Sequence, residues 1–154
     1  MNVRIRRAGQ ADAPALARLR RYWAEEDGAT AVEPDFERRF AAWFAGQRGT
    51  RVAFVAERDG DVIGMMHLAV FERMPRPGRP DSRWGYLSNA FVLPAHRDDG
   101  VGAALVDAVL GHARERGCVR VVLSPSERAV PFYRRAGFGP ATMLMAQILA
   151  AQNP

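Results

Sequence analysis

Cysteine and histidine are scarce in this chain of 154 residues, and lysine is absent. Cys118 is the single cysteine, so no internal disulfide can form, and we expect it to be buried as a small hydrophobic residue. The three histidines and this cysteine have no spacing suited to zinc, so no metal is predicted. The formal charge of +5 comes from arginines scattered along the chain. This pattern predicts a solvated basic surface and no dedicated nucleic-acid-binding block.

Long hydrophobic runs are also missing. Nowhere do about eighteen apolar residues follow one another, so no membrane-spanning helix is predicted. No apolar run follows the arginine-rich start of the chain, which argues against a signal peptide and favours a cytoplasmic protein. Repeats and low-complexity stretches are lacking, while 48% of the residues are hydrophobic. The length and composition predict a single domain over residues 1–154.

Hydrophobic periodicity divides the chain into short strands and helices. Asp12 is the expected N-cap of the first helix, and Asp59-Gly60-Asp61 is the expected turn of a hairpin. The predicted order is β-α-α-β-β-β-α-β-α-β, which indicates an α/β fold. The predicted elements are a strand near residues 3–5, helices from 12 and from 35, strands at 51–57, 62–71 and 84–93, a helix at 100–116, a strand at 119–123, a helix at 127–136 and a final strand at 140–148.

The most informative segment is a glycine-bearing turn between the strand at 84–93 and the helix that follows it. Unpaired N–H groups and the positive end of the helix dipole bind phosphate at such a turn, and glycine lets the backbone approach closely. A dinucleotide-binding fingerprint does not fit, because residue 105 is Leu and the turn does not follow the first strand. A Walker phosphate loop does not fit either, because no Gly-Lys-Ser/Thr occurs.

Two motifs in this region resemble those of the GNAT superfamily of acyl-CoA N-acyltransferases. The first is the diphosphate-binding pattern Arg/Gln-x-x-Gly-x-Gly/Ala, matched by Arg97, Gly100 and Gly102. The second is a downstream Ala-x-x-Phe-Tyr-x-x-x-Gly-Phe signature, matched from Ala129 to Phe138. The resemblance implies a mixed, mostly antiparallel sheet flanked by helices and splayed between its fourth and fifth strands. It also implies transfer of an acetyl group from acetyl-CoA to a primary amine, without a metal.

The resemblance further implies which residues bind the donor. The pantetheine arm would bond like an extra strand in the splay, with the Val92 N–H polarising the thioester carbonyl. Ser126 stands where relatives often have an asparagine that contacts pantetheine, although it is equally suited to cap a helix. The residues expected to bind acetyl-CoA are Phe91, Val92, Leu93, Arg97, Asp98, Asp99, Gly100, Val101, Gly102, Ala103, Ser126, Phe132 and Tyr133.

Proton transfer requires an acid and a base. By resemblance, Tyr133 protonates the departing thiolate. Some relatives have a carboxylate or a histidine at the position of Tyr86. Because this chain has neither there, the favoured proton acceptor is a water held by Tyr86 or Ser88. His67 and Glu26 are less favoured candidates. A β-bulge in the strand would bring in Asn89 instead. Each of these side chains also has an ordinary structural interpretation as a sheet or surface residue.

The acceptor is expected between the early helices and the loop at 73–83, where Trp23, Glu26, Trp84 and Asn89 would contact it. Nothing in the sequence distinguishes a small amine from a peptide amine. A homodimer is compatible with the resemblance. Two competing hypotheses remain, a non-catalytic acyl-CoA-binding or sensing module and a basic nucleic-acid-binding domain.

Overall fold

The computed structural model describes residues 2–29 and 32–151, which form two compact units dividing after Leu123. Within those residues, the smaller unit contains α4 (Val130–Arg135), preceded by a 3-10 turn at Glu127–Ala129. The larger unit contains β1 (Arg4–Arg7), α1 (Ala13–Glu26), α2 (Phe36–Gly46), β2 (Arg51–Arg58), β3 (Asp61–Glu72), β4 (Arg83–Val92), α3 (Val101–Glu115) and β5 (Cys118–Val122).

The larger unit is built on a five-stranded sheet in the order β1-β2-β3-β4-β5. Each neighbouring pair is antiparallel except β4 and β5, which are parallel. β2 and β3 form the predicted hairpin, and its turn residues Asp59 and Gly60 have φ values of 52° and 85°. Positive φ at both positions is typical of the tight turns whose twist matches that of paired strands. The predicted α/β class and mostly antiparallel sheet are confirmed.

Helices cover both faces of this sheet. On one face, α1 and α2 bury Leu16, Leu19 and Phe40 in a cluster with Val55 and Met65 of the sheet. On the other face α3 packs closely, and a Cβ at Gly64 would lie 3.3 Å from the Leu105 side chain. Because alternate strand residues point to opposite faces, Gly64 and Met65 serve these two separate cores. The face covered by α1 and α2 is called the acceptor face below.

Asp12 directly precedes α1, as predicted, but its carboxylate does not cap that helix. It accepts a hydrogen bond from the Gly9 N–H at 2.8 Å and two from the Arg6 guanidinium at 2.8 and 2.9 Å. The hydrogen bonds from Arg6 hold the pKa of Asp12 below its usual range. These bonds connect the entry of α1 to β1, which fixes the position of the helix over the acceptor face.

The predicted final strand at 140–148 is wrong, because no strand forms after Val122 in the described part of the chain. Met143, Met145 and Ile148 are exposed, so the alternation that suggested a strand buries no hydrophobic face. Pro140 lacks an N–H, and the Met, Leu and Ala residues that follow favour strands only weakly. The helix predicted at 127–136 is present, although its first turn is 3-10.

Candidate active site

The turn between β4 and α3 presents unpaired main-chain donors. Asp98 and Gly100 have φ values of 60° and 77°, and this left-handed geometry reverses the chain into α3. The first hydrogen bond at this end of α3 runs from the Ala104 N–H to the Gly100 carbonyl at 3.0 Å. The N–H groups of Val101, Gly102 and Ala103 precede it and lack carbonyl partners within the helix. Together with the dipole of this 15-residue helix, they form a cradle suited to a diphosphate.

A partly buried arginine supports this turn from the β2–β3 hairpin. Arg58 Nη2 donates to Asp99 Oδ2 at 2.6 Å, and Arg58 Nη1 lies 2.9 Å from His96 Nδ1. Only 12% of the Arg58 side chain is exposed. Its charge balances the Asp99 carboxylate beside the cradle and ties two turn residues to the sheet. The sequence did not single out Arg58, because nothing local distinguishes it from the other arginines.

We expect the change Arg58→Gln to weaken acetyl-CoA binding about three- to tenfold. An ion pair open to solvent on one side contributes about 1 kcal/mol, or about fivefold in affinity, and the upper figure is reached because the uncompensated Asp99 carboxylate would also repel the diphosphate. Isothermal titration calorimetry measures the change. Arg48→Gln is the matched control, since Arg48 is exposed and lies outside the turn. Equal affinities of the two variants would show that Arg58 does not support the cradle.

Arg97 connects β4 to the end of α1. Its Nε donates to the Val92 carbonyl at 2.8 Å, and its Nη2 donates to Glu26 Oε2 at 2.8 Å. The guanidinium also lies 5.3 Å from the centre of the Phe91 ring, on which Trp23 stacks at 6.0 Å. Two residues predicted for the acceptor and three predicted for acetyl-CoA therefore form one connected group. The Arg97 side chain is engaged within the protein, so its part in the cradle is to position the turn.

The splay predicted between the fourth and fifth strands is confirmed by the pairing of β4. β5 pairs with β4 only from Arg83 to Tyr86, and in the described residues no strand pairs with this edge beyond Tyr86. On the other edge, the Leu93 N–H donates to the Ile63 carbonyl of β3 at 2.9 Å. Because main-chain groups alternate in direction along a strand, the N–H of Val92 points away from β3 and towards the open edge.

β4 also contains the β-bulge that the sequence raised as an alternative. Met65 pairs with Phe91 but His67 pairs with Ser88, so β4 carries one extra residue between these pairs. Asn89 lies in this bulge with a φ of 52°. The Ser88 hydroxyl donates to Asn89 Oδ1 at 3.2 Å, and Arg51 Nη1 donates to the same oxygen at 3.2 Å. The bulge thereby brings Ser88 and Asn89 together with Arg51, a residue that the sequence reasoning missed.

The other candidates on the acceptor face differ in how well they could accept a proton. His67 is buried, and burial lowers its pKa to about 3. Its imidazole is therefore neutral at pH 7 and a poor base. Glu26 is occupied by its ion pair with Arg97. Tyr86 is half-buried opposite Ala69, and Trp84 stacks on Phe71 with ring centres 4.6 Å apart.

In the smaller unit, the Tyr133 ring packs edge-on against Phe132 at 5.0 Å and Phe138 at 5.7 Å. Burial raises the pKa of the Tyr133 hydroxyl, which keeps it protonated at neutral pH. Ser126 precedes the 3-10 turn, but its side chain makes no capping hydrogen bond there. Of its two interpretations, the structure therefore gives no support to capping by the hydroxyl.

The fold and these motifs define a known class of protein. The family model of the acetyltransferase (GNAT) family matches residues 16–138. The chain belongs to this family, and the domain is of the acetyltransferase class of enzymes. Within the described residues, no helix is long and apolar enough to cross a membrane, and no group of three or more His, Cys, Asp or Glu residues could hold a metal ion.

Among curated proteins, a glucosamine 6-phosphate N-acetyltransferase from Trypanosoma brucei brucei is 32% identical over 85 residues, covering 55% of this chain and 56% of that protein. The chain thus spans about half the length of this relative. Among solved structures, an N-acetyltransferase from Ralstonia eutropha is 28% identical, with a TM-score of 0.75 and coverage of 97% of this chain and 100% of that chain. A second solved structure is a predicted acetyltransferase from Clostridium acetobutylicum with acetyl-CoA. It is 21% identical to this chain with a TM-score of 0.78, and the match covers 96% of this chain and 97% of that chain.

Proposed function

We propose that this chain transfers an acetyl group from acetyl-CoA to the primary amine of an acceptor by direct attack of the amine on the thioester. The observation that carries the proposal is the cradle at the start of α3, where Val101, Gly102 and Ala103 offer three main-chain N–H groups beside left-handed Gly100. Such a cradle fits a diphosphate without side-chain contacts. The acetyl-CoA bound by the Clostridium acetobutylicum protein supports the same assignment at the level of the fold.

In this proposal, acetyl-CoA supplies a thioester carbonyl that is already activated towards amines. The amides of residues 97–103 hold its diphosphate, and residues 91–93 of β4 pair with its pantetheine arm across the open edge. The Val92 N–H then donates to the carbonyl oxygen as negative charge develops there. A fixed donor of this kind is effective because it needs no reorganisation during the reaction. Ser126 and Phe132 complete the proposed donor contacts.

Proton transfer is assigned to a water on β4 and to Tyr133 of α4. A water held by Tyr86 or Ser88 accepts the proton of the attacking amine and passes it to solvent. Asn89 orients this water or the acceptor. Tyr133 donates a proton to the departing thiolate, a role consistent with the raised pKa of its hydroxyl. We place the activity in the cytoplasm with a small-molecule or peptide amine as acceptor, in line with the amino sugar phosphate named for the trypanosomal relative.

A second candidate function is a non-catalytic module that binds or senses acyl-CoA. The observation in its favour is the lack of a carboxylate among Tyr86, Ser88 and Asn89, the residues of β4 nearest the proposed acceptor. Such a module would bind acetyl-CoA without turnover. A nucleic-acid-binding domain would instead show affinity that falls steeply with salt and is independent of coenzyme A.

Acetyl-CoA at about 100 times its Kd is expected to stabilise the protein by about 2.7 kcal/mol, which raises the Tm by roughly 5–10 °C. Differential scanning fluorimetry measures this shift. A panel of amines then tests turnover, with thiol release from coenzyme A as the readout. A shift without thiol release for any amine would favour the sensing module, and no shift at all would refute the proposed function.

A further inference from the structure

The acceptor face contains a half-buried arginine without a carboxylate partner. Arg51 begins β2 and takes part in no ion pair within the described chain. Its guanidinium lies 5.0 Å from the centre of the Trp43 ring of α2. Burial lowers the pKa of Arg51, which reports the energetic penalty of holding this charge partly away from water. Within the described residues only neutral groups contact this charge, so the guanidinium is able to bind an anion from outside the fold.

The hydrogen bonds of Arg51 are few and long. Its Nε donates to Gln47 Oε1 at 3.4 Å, and its Nη1 donates to Ser88 Oγ at 3.4 Å and to Asn89 Oδ1 at 3.2 Å. All three acceptors are neutral oxygens, at distances above the usual 2.9–3.0 Å. Guanidinium carries five donors in a planar fork that matches a carboxylate or a phosphate. The hydrogen bonds of Arg51 with the described residues use its Nε and Nη1 donors, so Nη2 remains available to an anion.

The sheet register puts Arg51 beside the residues proposed to handle the amine proton. Arg51 pairs with Ala69, and Ala69 pairs with Tyr86, so the three share one row of the acceptor face. Two strand spacings separate Arg51 from Tyr86, about 10 Å between their Cα atoms. The small side chain of Ala69 therefore lies between the two long side chains of Arg51 and Tyr86.

The next row contains a buried polar atom without a hydrogen-bond partner among the described residues. Ala53, His67 and Ser88 form this row, and His67 Nδ1 is buried with no hydrogen-bond partner among the described residues. Only 1% of the His67 residue is exposed, and its ring lies 6.4 Å from that of Trp43. Buried polar atoms in folded proteins rarely lack a partner. The unpaired nitrogen and the unpaired cation lie in adjacent rows under the same tryptophan.

We propose that the acceptor is a small amine that carries a carboxylate or phosphate a few bonds from its nitrogen, and that Arg51 binds this anionic group under Trp43. The inference rests on the proposed acetyl transfer and names its acceptor class. Arg51 Nη1 and Ser88 Oγ are 3.4 Å apart, so an anion on Arg51 leaves the amine of a short molecule close to Ser88. Neutral amines of the same size would lack this anchor.

Matched pairs of acceptors test the inference once acetyl-CoA binding is established. The pairs are phosphoethanolamine with ethanolamine, glucosamine 6-phosphate with glucosamine, and an amino acid with its amide. At least one anionic member is expected to be acetylated with kcat/KM about 10- to 100-fold above its neutral partner, the effect of charge-assisted hydrogen bonds. Phosphate and carboxylate pairs distinguish the two anions. Equal rates within every pair would refute the inference while leaving acetyl transfer intact.

A measurement of anion binding tests the role of Arg51 even if no acceptor in the panel reacts. With coenzyme A saturating the cradle, inorganic phosphate and acetate are titrated against the wild type, Arg51→Gln and Arg48→Gln. Wild type and Arg48→Gln are expected to bind at least one anion about tenfold more tightly than Arg51→Gln, and Arg51→Lys to bind between them. Arg51→Gln should lower the Tm only slightly, since it loses long hydrogen bonds to neutral oxygens and the contact with Trp43 but no ion pair. The inference would be overturned if the wild type and Arg51→Gln bound phosphate and acetate equally, or if neither protein bound them. Failure of coenzyme A itself to bind would instead count against the proposed function.

Discussion

The change Gly102→Asp is expected to weaken acetyl-CoA binding by about 100-fold or more while leaving the free protein as stable as the wild type. A carboxylate in the first turn of α3 interacts favourably with the helix dipole, so folding should not suffer. The same carboxylate would occupy the cradle of Val101, Gly102 and Ala103 N–H groups and repel a diphosphate. Calorimetric titration gives the loss of affinity, and thermal unfolding without ligand gives the stability.

Gly102→Ala is the matched control for this prediction, because it adds a Cβ without charge. Its affinity should fall between those of the wild type and Gly102→Asp, and Ala should slightly favour the helix over Gly. Unchanged acetyl-CoA binding by Gly102→Asp would mean that the diphosphate lies elsewhere. A large loss of stability in both variants would instead show that Gly102 is required for packing.

The change Tyr133→Phe is expected to lower kcat by about 100- to 1000-fold with little change in acetyl-CoA affinity. Removing a general acid costs rates of this order, whereas the ring that packs on Phe132 and Phe138 is retained. Thiol release under saturating acetyl-CoA measures kcat, and fluorimetry measures binding. Activity should require the protonated phenol. Because the pKa of Tyr133 is raised, that form is lost only as the pH rises through a value above the usual 10.

Tyr22→Phe supplies the control, since Tyr22 is exposed on α1 and belongs to no proposed contact. Its kcat should equal that of the wild type. If Tyr133→Phe kept wild-type turnover, the proposed acid would be wrong, although the cradle and the proposed acyl donor would remain. If it lost acetyl-CoA binding as well as turnover, Tyr133 would be a binding residue.

The elements that the sequence located correctly depend on local patterns. Glycine in a left-handed turn, alternation in β2 and β3, and the apolar stripe of α3 can each be seen within a few neighbouring residues. The two motifs added the family, and with it the mixed sheet and the splay between its fourth and fifth strands. The bulge at Asn89 is an alternative that the sequence leaves open, because one extra residue in a strand exchanges the faces of the residues beyond it.

The residues that sequence reasoning missed depend on distant pairing. Arg58 meets Asp99 across 41 positions and Arg51 meets Asn89 across 38, and neither contact leaves a local signal among 22 basic residues. Their roles follow only from the register of β2, β3 and β4. The predicted strand at 140–148 failed for the opposite reason, since a local alternation has no effect where the described residues offer neither a partner strand nor a buried face.

Arg58 also restricts how this sequence can be recombined with those of its relatives. A chimera that takes its first half from another protein and the segment from β4 onwards from this chain would inherit Asp99 and His96. Unless the protein that supplies the first half also has arginine at the position of Arg58, the Asp99 carboxylate would lose its counter-charge. That carboxylate would then lie unbalanced beside the proposed site of the acetyl-CoA phosphates. Crossover points between residues 58 and 96 therefore separate groups that need to be exchanged together.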